Sequence, residues 1–212
     1  MQPAMPAVNM AKSPRKRPSR QETIEKLLDG ATLAFVERGF HGATLDDICA
    51  RAGLTRGAFH SSFDNKEQLF LALYDRMLTR VRDHLVHIQA SAEAYPDKSL
   101  ATLFAELTQN FPIDREWYLL SSEFQLYAMR QPALAPQLAQ HRALMRETVA
   151  DALEQLLSHR GLSLTVDRDL LARLLVAIHD GSYAQSLLEP EALAPGSLMA
   201  RFGEMILRAA SA

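Results

Sequence analysis

Residues 44–66 read TLDDICARAGLTRGAFHSSFDNK, and this stretch decides the fold. Thr44 is placed to cap a helix, with Asp46 and Asp47 in the first turn. Thr-x-x-Asp has the form of a capping box, with Asp in place of the longer Glu or Gln. Carboxylates there also suit the positive end of a helix. Leu45, Ile48, Cys49 and Ala52 recur at helical spacing and form an inner face. Gly53 stops this helix and permits a sharp turn. Leu54 packs inward, and Thr55 caps a second short helix that begins at Arg56. Phe59 and Phe63 stand four apart and face the core. Thr55, Arg56, Gly57 and His60, with Ser61 at the flank, are left facing out. Two short helices joined by a tight turn, the second with a polar and basic outer face, have the shape of a helix-turn-helix that docks in a DNA major groove. An ordinary helix hairpin with a solvated basic face shares this local pattern.

The flanks extend the reading. Upstream, Ile24, Leu27, Leu28, Ala31, Leu33, Ala34 and Phe35 are the apolar residues of 21–38, their 24, 27/28, 31, 34/35 rhythm is helical and one-sided, and Gly39 can end that helix. Downstream, Asn65 caps a long helix over 67–94, with Leu69, Phe70, Leu73, Met77, Val81, Leu85 and Ile88 along one face. Further helical stretches are 99–110, 113–130, 133–160, 168–188 and 196–209, punctuated by proline and glycine. Pro136 predicts a short helix or kink before a longer helix from about 138. No convincing strand and no internal repeat is visible. The expected fold class is all-α: an N-terminal three-helix unit that reads as DNA-binding (21–66), joined by a long helix to a larger helical domain (67–212) expected to bind a ligand and to dimerise.

The chain has 212 residues, a net charge of −2 and 48% hydrophobic content, which is globular and favours no partner by itself. The distribution says more. Residues 1–66 hold 10 Lys/Arg and 7 Asp/Glu, net +3; the remainder holds 13 and 18, net −5. A polyanion partner therefore belongs at the N-terminal end. Residues 1–20 carry four prolines, five basic residues and no acid, a composition that does not fold alone. This basic arm either adds phosphate or minor-groove contacts or is a solubilising tail. No apolar run is long enough to span a membrane, and no signal-peptide centre is present. The single cysteine, Cys49, fits a reducing cytoplasm and reads as a small buried hydrophobe.

Residues 21–85 resemble the TetR family of bacterial transcriptional regulators. The resemblance lies in AFVERGFHGATLDDICARAGLTRGAFHSSFDNKEQLF and the long helix after it: a Gly-aromatic loop at Gly39-Phe40, a Thr-capped helix, the turn Ala52-Gly53-Leu54-Thr55, a short recognition helix, and Phe63-x-x-Lys66-Glu67-x-Leu69. The phrase AIHDGSYAQSLLEP (177–190) looks like a closing ligand-domain helix in one branch of the family. The resemblance implies phosphate contacts from Thr44, Thr55, Ser62 and Lys66, and base reading by Arg56 with help from His60. One departure stands at the end of the recognition helix, where His60 and Ser62 occupy positions that are often Tyr and His in the family. The expected partners are double-stranded DNA with a palindromic operator, a second copy of the chain, and a small-molecule effector. Two C-terminal helices supply the dimer candidates: Leu144, Val149, Leu153, Leu156 and Leu157 on the first, and Leu171, Leu174, Leu175 and Ile178 on the second.

Phe104, Phe111, Trp117, Phe124, Tyr127, Met129, His179 and Tyr183 are candidates to line an effector cavity with an apolar wall and a few polar tips. Each alone also reads as plain core. His179 with Asp180 is the best polar handle, either for a ligand or for structure. Ser121-Ser122-Glu123 reads as helical packing. His84 and His87 have metal-compatible spacing but no third ligand, and read as a solvated face. No phosphate loop, nucleophile elbow or isolated carboxylate pair is present, so neither catalytic residues nor a cofactor is expected. A small helical enzyme, or a ligand carrier without DNA-binding activity, is the reading from a different class.

Overall fold

The computed structural model describes residues 19–109 and 111–212; the proline-rich basic stretch 1–18 lies outside the described residues. Nine helices follow one another among them. They are α1 (Arg20–Gly42), α2 (Leu45–Ala52), α3 (Arg56–His60), α4 (Lys66–Ala94), α5 (Leu100–Thr108), α6 (Arg115–Met129), α7 (Ala135–Ser158), α8 (Arg168–Leu188) and α9 (Ser197–Ala209). The described residues hold no β-strand, only an isolated antiparallel bridge between Leu164 and Ser211.

Local chemistry accounts for most helix starts. Ser19 with Glu22, and Thr44 with Asp47, form reciprocal capping boxes on α1 and α2. Thr55, Asn65, Ser99, Asp114 and Asp167 each accept a backbone amide at the starts of α3, α4, α5, α6 and α8. Gly53 closes α2 in the left-handed conformation at φ 64°, which the turn into α3 requires. The kink expected at Pro136 does not occur. Pro136 sits in the first turn of α7, where its missing N–H has no helical partner to lose, so the helix runs unbroken from Ala135.

Two hydrophobic cores are stacked along α4. The first joins α1, α2, α3 and the start of α4, and also takes in Leu120, Phe124 and Ala128 of α6 and Leu134 and Leu138 around the start of α7. The second joins the far end of α4 to α5, α7, α8 and α9. Most of the leucines expected at a dimer interface belong to this second core. Leu153, Leu156, Leu157, Leu171 and Leu175 are buried within the subunit, and Val149 and Ile178 pack against them. Their helical periodicity marks the inward face. The outward large apolar residues of the two helices are Leu144, Leu170, Leu174 and Leu188, at 48%, 65%, 48% and 82% exposure.

Candidate nucleic-acid interface and effector cavity

The two capped helices α2 and α3 present their polar residues to solvent. Thr44, Thr55, Arg56, Gly57, His60 and Ser61 are exposed, while Phe59 is fully buried and anchors α3. The Thr55 hydroxyl accepts the Ala58 amide at 3.2 Å. The Thr44 hydroxyl donates to Asp47 Oδ2 at 2.6 Å, and the bonds from Thr44 hold the Asp47 carboxyl below the usual range. Ser61 and the half-buried Ser62 turn their hydroxyls onto the Ala58 carbonyl.

Arg56 is not free in this state. Its Nε and Nη2 reach the two Asp46 oxygens at 2.5 Å each. That fork–fork bond holds the Asp46 carboxyl below its ordinary range and pushes the guanidinium further up. Both side chains are more than 60% exposed, so water competes with the pair and an incoming acceptor displaces Asp46 at small cost.

Lys66 departs from the outward phosphate donor that the resemblance implied. Its ammonium donates to the carbonyls of Phe40 at 2.6 Å and Ala43 at 3.0 Å and lies 4.5 Å from the centre of the Phe40 ring. Burial pushes it below the ordinary lysine range. The helix break at Gly39, with φ 71°, leaves the backbone beyond it needing partners. Lys66 satisfies carbonyls there. Glu123 of α6 takes the amides: Phe40 N–H donates to its Oε2 at 3.0 Å and His41 N–H to its Oε1 at 3.1 Å. One carboxylate on α6 and one ammonium on α4 thus clasp the connection between α1 and α2. The sequence reading took Glu123 for helical packing. The broken helix signalled that an acceptor was needed, but nothing local indicates that it comes from more than 80 residues away.

The second core encloses a cavity of about 450 Å³ between α4, α5, α6, α7, α8 and the start of α9. Phe104, Phe111, Trp117, His179 and Tyr183 line it. Phe124, Tyr127 and Met129 do not. Phe124 is fully buried in the first core, stacked on Phe70 at 3.9 Å and edge-on to Phe40 at 4.9 Å. Tyr127 packs on Phe40 and donates its hydroxyl to Glu67 Oε1 at 2.9 Å, while Met129 is exposed. The helical phase of α6 explains the division. Ser121, Ser122 and Gln125 face the cavity; Leu120, Glu123, Phe124 and Tyr127 face the first core; Trp117 stands at the boundary, lining the cavity and stacking on Phe70 at 5.9 Å.

The sequence reading missed most of the polar lining. Arg142 of α7 bonds Asp180 Oδ2 at 3.1 Å and also reaches Gln125 Oε1. His179 Nδ1 lies 3.3 Å from Asp180 Oδ1, and the Tyr118 hydroxyl donates to the Asp180 carbonyl at 3.0 Å. Burial pushes the Asp180 carboxyl up, but the His179 bond and the Arg142 charge together outweigh it and hold the group below its ordinary range. His84 is bound to the Leu107 carbonyl at 2.8 Å, and no group of three metal-binding side chains exists among the described residues. No helix among those residues is long and apolar enough to cross a membrane.

Comparison with known proteins agrees with this arrangement. Residues 27–73 match the family described as bacterial regulatory proteins, tetR family, and residues 96–209 match the BetI-type transcriptional repressor C-terminal family. The HTH-type transcriptional regulator TtgR of Pseudomonas putida is 39% identical over 79 residues, 37% of each chain, so this match spans little more than a third of that relative. A longer match, 28% identical, links 84% of this chain to 81% of the HTH-type transcriptional regulator AcrR of Shigella flexneri. Among solved structures, a putative TetR-family regulator from Rhodococcus sp. shares the fold at a TM-score of 0.69 and 21% identity, over 88% of this chain and 99% of that one. Salmonella enterica GusR shares it at 0.64 and 22%, over 88% and 95%. The N-terminal family match falls on the helix-turn-helix and the C-terminal match on the helices around the cavity, covering more than half of the chain: this protein belongs to the TetR family of bacterial regulatory proteins.

Proposed function

We propose that the protein is a transcriptional repressor that binds a palindromic DNA operator as a homodimer and leaves it when a small apolar effector fills the cavity. The observation that carries the reading is the solvent face of α3. There Arg56, held among the described residues by an exposed carboxylate alone, stands beside the exposed Thr55, Gly57 and His60 with no other described element over them. Arg56 reads a base edge once DNA displaces Asp46, and Thr44, Thr55 and Ser62 contact phosphate. Lys66 acts indirectly, by holding the α1–α2 connection in place. One five-residue helix reads few bases, and a two-fold dimer doubles the site with half-sites about 34–36 Å apart or a multiple of that. Leu144, Leu170 and Leu174 are the apolar surface for pairing.

Release follows from α6. A ligand in the cavity presses on the Trp117 face of this helix, and the Glu123 clasp on its other face carries the displacement to the α1–α2 connection. An effector that binds the DNA-free form about 100-fold better shifts the balance by about 2.7 kcal/mol per site.

Selection of bound sequences from a random duplex pool, at stated salt, tests the proposal. A palindrome that Arg56→Ala binds roughly 10- to 100-fold more weakly is the expected result. An equal loss on random DNA makes Arg56 a phosphate contact. No selected sequence, with or without cavity ligands, favours a ligand carrier without DNA-binding activity.

A further inference from the structure

We infer that the cavity selects an uncharged ligand with an apolar body and a hydrogen-bond-accepting oxygen at one end, read by Tyr74 of α4 together with α6. This rests on the proposed role of the cavity as the effector site and names the chemistry of that effector.

The lining is polarised. Leu103, Phe104, Leu107, Leu156 and Met199 form an apolar end drawn from α5, α7 and α9. Gln89, next to Ile88 on α4, and Thr108, next to Leu107 on α5, add two uncharged polar groups beside it, while every charged group of the lining and most of the other polar ones come from α6, α7 and α8 and their approaches, the polar end. Arg142 binds both Gln125 and Asp180, and Tyr74 lies next to Trp117, 5.8 Å between ring centres. A ligand that fills both ends is therefore amphiphilic.

Charge is already balanced at the polar end. Arg142 and Asp180 neutralise each other, with His179 as a further partner of Asp180. A ligand carboxylate drawn to Arg142 meets Asp180 behind it, and a ligand ammonium drawn to Asp180 meets Arg142. Asp114, the other acid in the lining, is exposed and occupied as the α6 cap, and it disfavours anions further. An ion would also leave water for a largely apolar wall, a cost that an uncharged ligand avoids.

Hydrogen bonding is not balanced. The Tyr74 hydroxyl, the Trp117 indole N–H and the Ser122 hydroxyl have no partner among the described residues, although all three residues line the cavity. No side-chain polar atom sealed from solvent lacks a partner among those residues. The Tyr74 hydroxyl therefore opens onto accessible space, and its residue lines this cavity. Burial raises the Tyr74 phenol above its ordinary range, so it stays a donor at neutral pH. The indole N–H is a donor only. The complement to such groups is an oxygen acceptor: a carbonyl, ester or ether. Tyr74 gives this contact a consequence, because it lies on the helix that leads back to the DNA-binding unit.

The test uses the full-length protein and four probes on one ring system: methyl 2-naphthoate, 2-naphthoate, 2-naphthylmethylammonium and naphthalene, titrated by calorimetry. The ester should bind at least about tenfold more tightly than either ion. Tyr74→Phe, which keeps the ring, should weaken the ester about fivefold and leave naphthalene unchanged, the size of one hydrogen bond. Tighter binding of the carboxylate or the ammonium overturns the proposal, as does no binding by any probe, or an equal loss for ester and naphthalene in Tyr74→Phe. Duplex selection on the same preparation separates the two readings. Operator binding without ester preference removes only the ligand class. Ester preference without DNA binding leaves the cavity chemistry standing and removes the repressor.

Discussion

The two cores that α4 joins are built differently. The first is filled. Phe35, Phe40, Phe70 and Phe124 meet ring to ring, and each is at most 1% exposed. The second is hollow, with space for a ligand among its leucines. A filled core resists deformation and moves as a body; a hollow one has side chains that can shift into free volume. Helix α6 belongs to both, with the cavity on one face and the aromatic cluster on the other. The difference teaches where ligand binding can be converted into motion. In the proposed function, the change would begin in the hollow core, where packing is adjustable, and would reach the helix-turn-helix as a shift of a solid block.

Large-to-small substitution is the strongest way to break this contrast. Phe124→Ala removes a fully buried ring from the filled core and should cost about 3–5 kcal/mol. Phe111→Ala removes a half-buried ring that faces the cavity and should cost less than about 2 kcal/mol, because one side of that ring has few atoms to lose. Urea denaturation of both variants checks the difference. Equal losses would mean that the cavity collapses in solution and that the two cores are alike.

Adding one methyl group sharpens the contrast at slightly smaller cost. A Cβ at Gly30 would lie 2.8 Å from the Ala52 nitrogen and the Ile48 carbonyl oxygen, backbone atoms of α2 that cannot give way. A Cβ at Gly203 would lie 2.6 Å from the Phe104 ring, whose residue lines the cavity. Gly30→Ala should destabilise by about 3 kcal/mol, and Gly203→Ala by less than about 1 kcal/mol, with a smaller cavity. Thermal melts read the stabilities. A loss of methyl 2-naphthoate affinity in Gly203→Ala alone would show that the Phe104 ring has moved inward.

How legible each region was in the sequence follows the same division. Around residues 44–66 the caps, the turn glycine and the buried Phe59 depend on neighbours within a few positions, so periodicity and capping chemistry recover them. The cavity depends on helices more than a hundred residues apart. Aromatic content alone could not separate Phe104 and Trp117, which line it, from Phe124 and Tyr127, which fill the first core. Nor could it find the bond between Arg142 and Asp180. Lys66 shows a subtler limit. Its position in the sequence suited phosphate, but the carbonyls that occupy it are exposed by a helix break 27 residues earlier. Apolar spacing on α7 and α8 likewise marked a face turned to the core and could not distinguish it from one turned to a partner.

The clasp between the two regions yields a smaller effect. Glu123→Gln keeps the side-chain shape but replaces one accepting oxygen with a donor facing a backbone N–H. Two charge-assisted bonds become at most one neutral bond, a loss of about 1–2 kcal/mol. If α6 transmits through this contact, a cavity ligand should bind the variant within about twofold of its original affinity while its effect on operator affinity falls. Unchanged coupling would place the transmission in the aromatic cluster alone.

The smallest expected effect concerns the polar end of the hollow core and depends on pH. Asp180 has a folded-state pKa below its unfolded value, since His179 and Arg142 outweigh the cost of burial. Between those two values the unfolded chain binds more protons, so stability rises with pH there. The contribution is complete above the unfolded value, near pH 4, and is lost as pH falls toward the folded value. The pair is about a third exposed, which limits the contribution to about 1 kcal/mol. Asp180→Asn should therefore be less stable than the original at pH 6, by about that amount, and the gap should close as pH falls to 3. Urea melts across that range measure it. A gap that stays constant would mean that Asp180 acts through shape alone, and that the charge balance at the polar end rests on other groups.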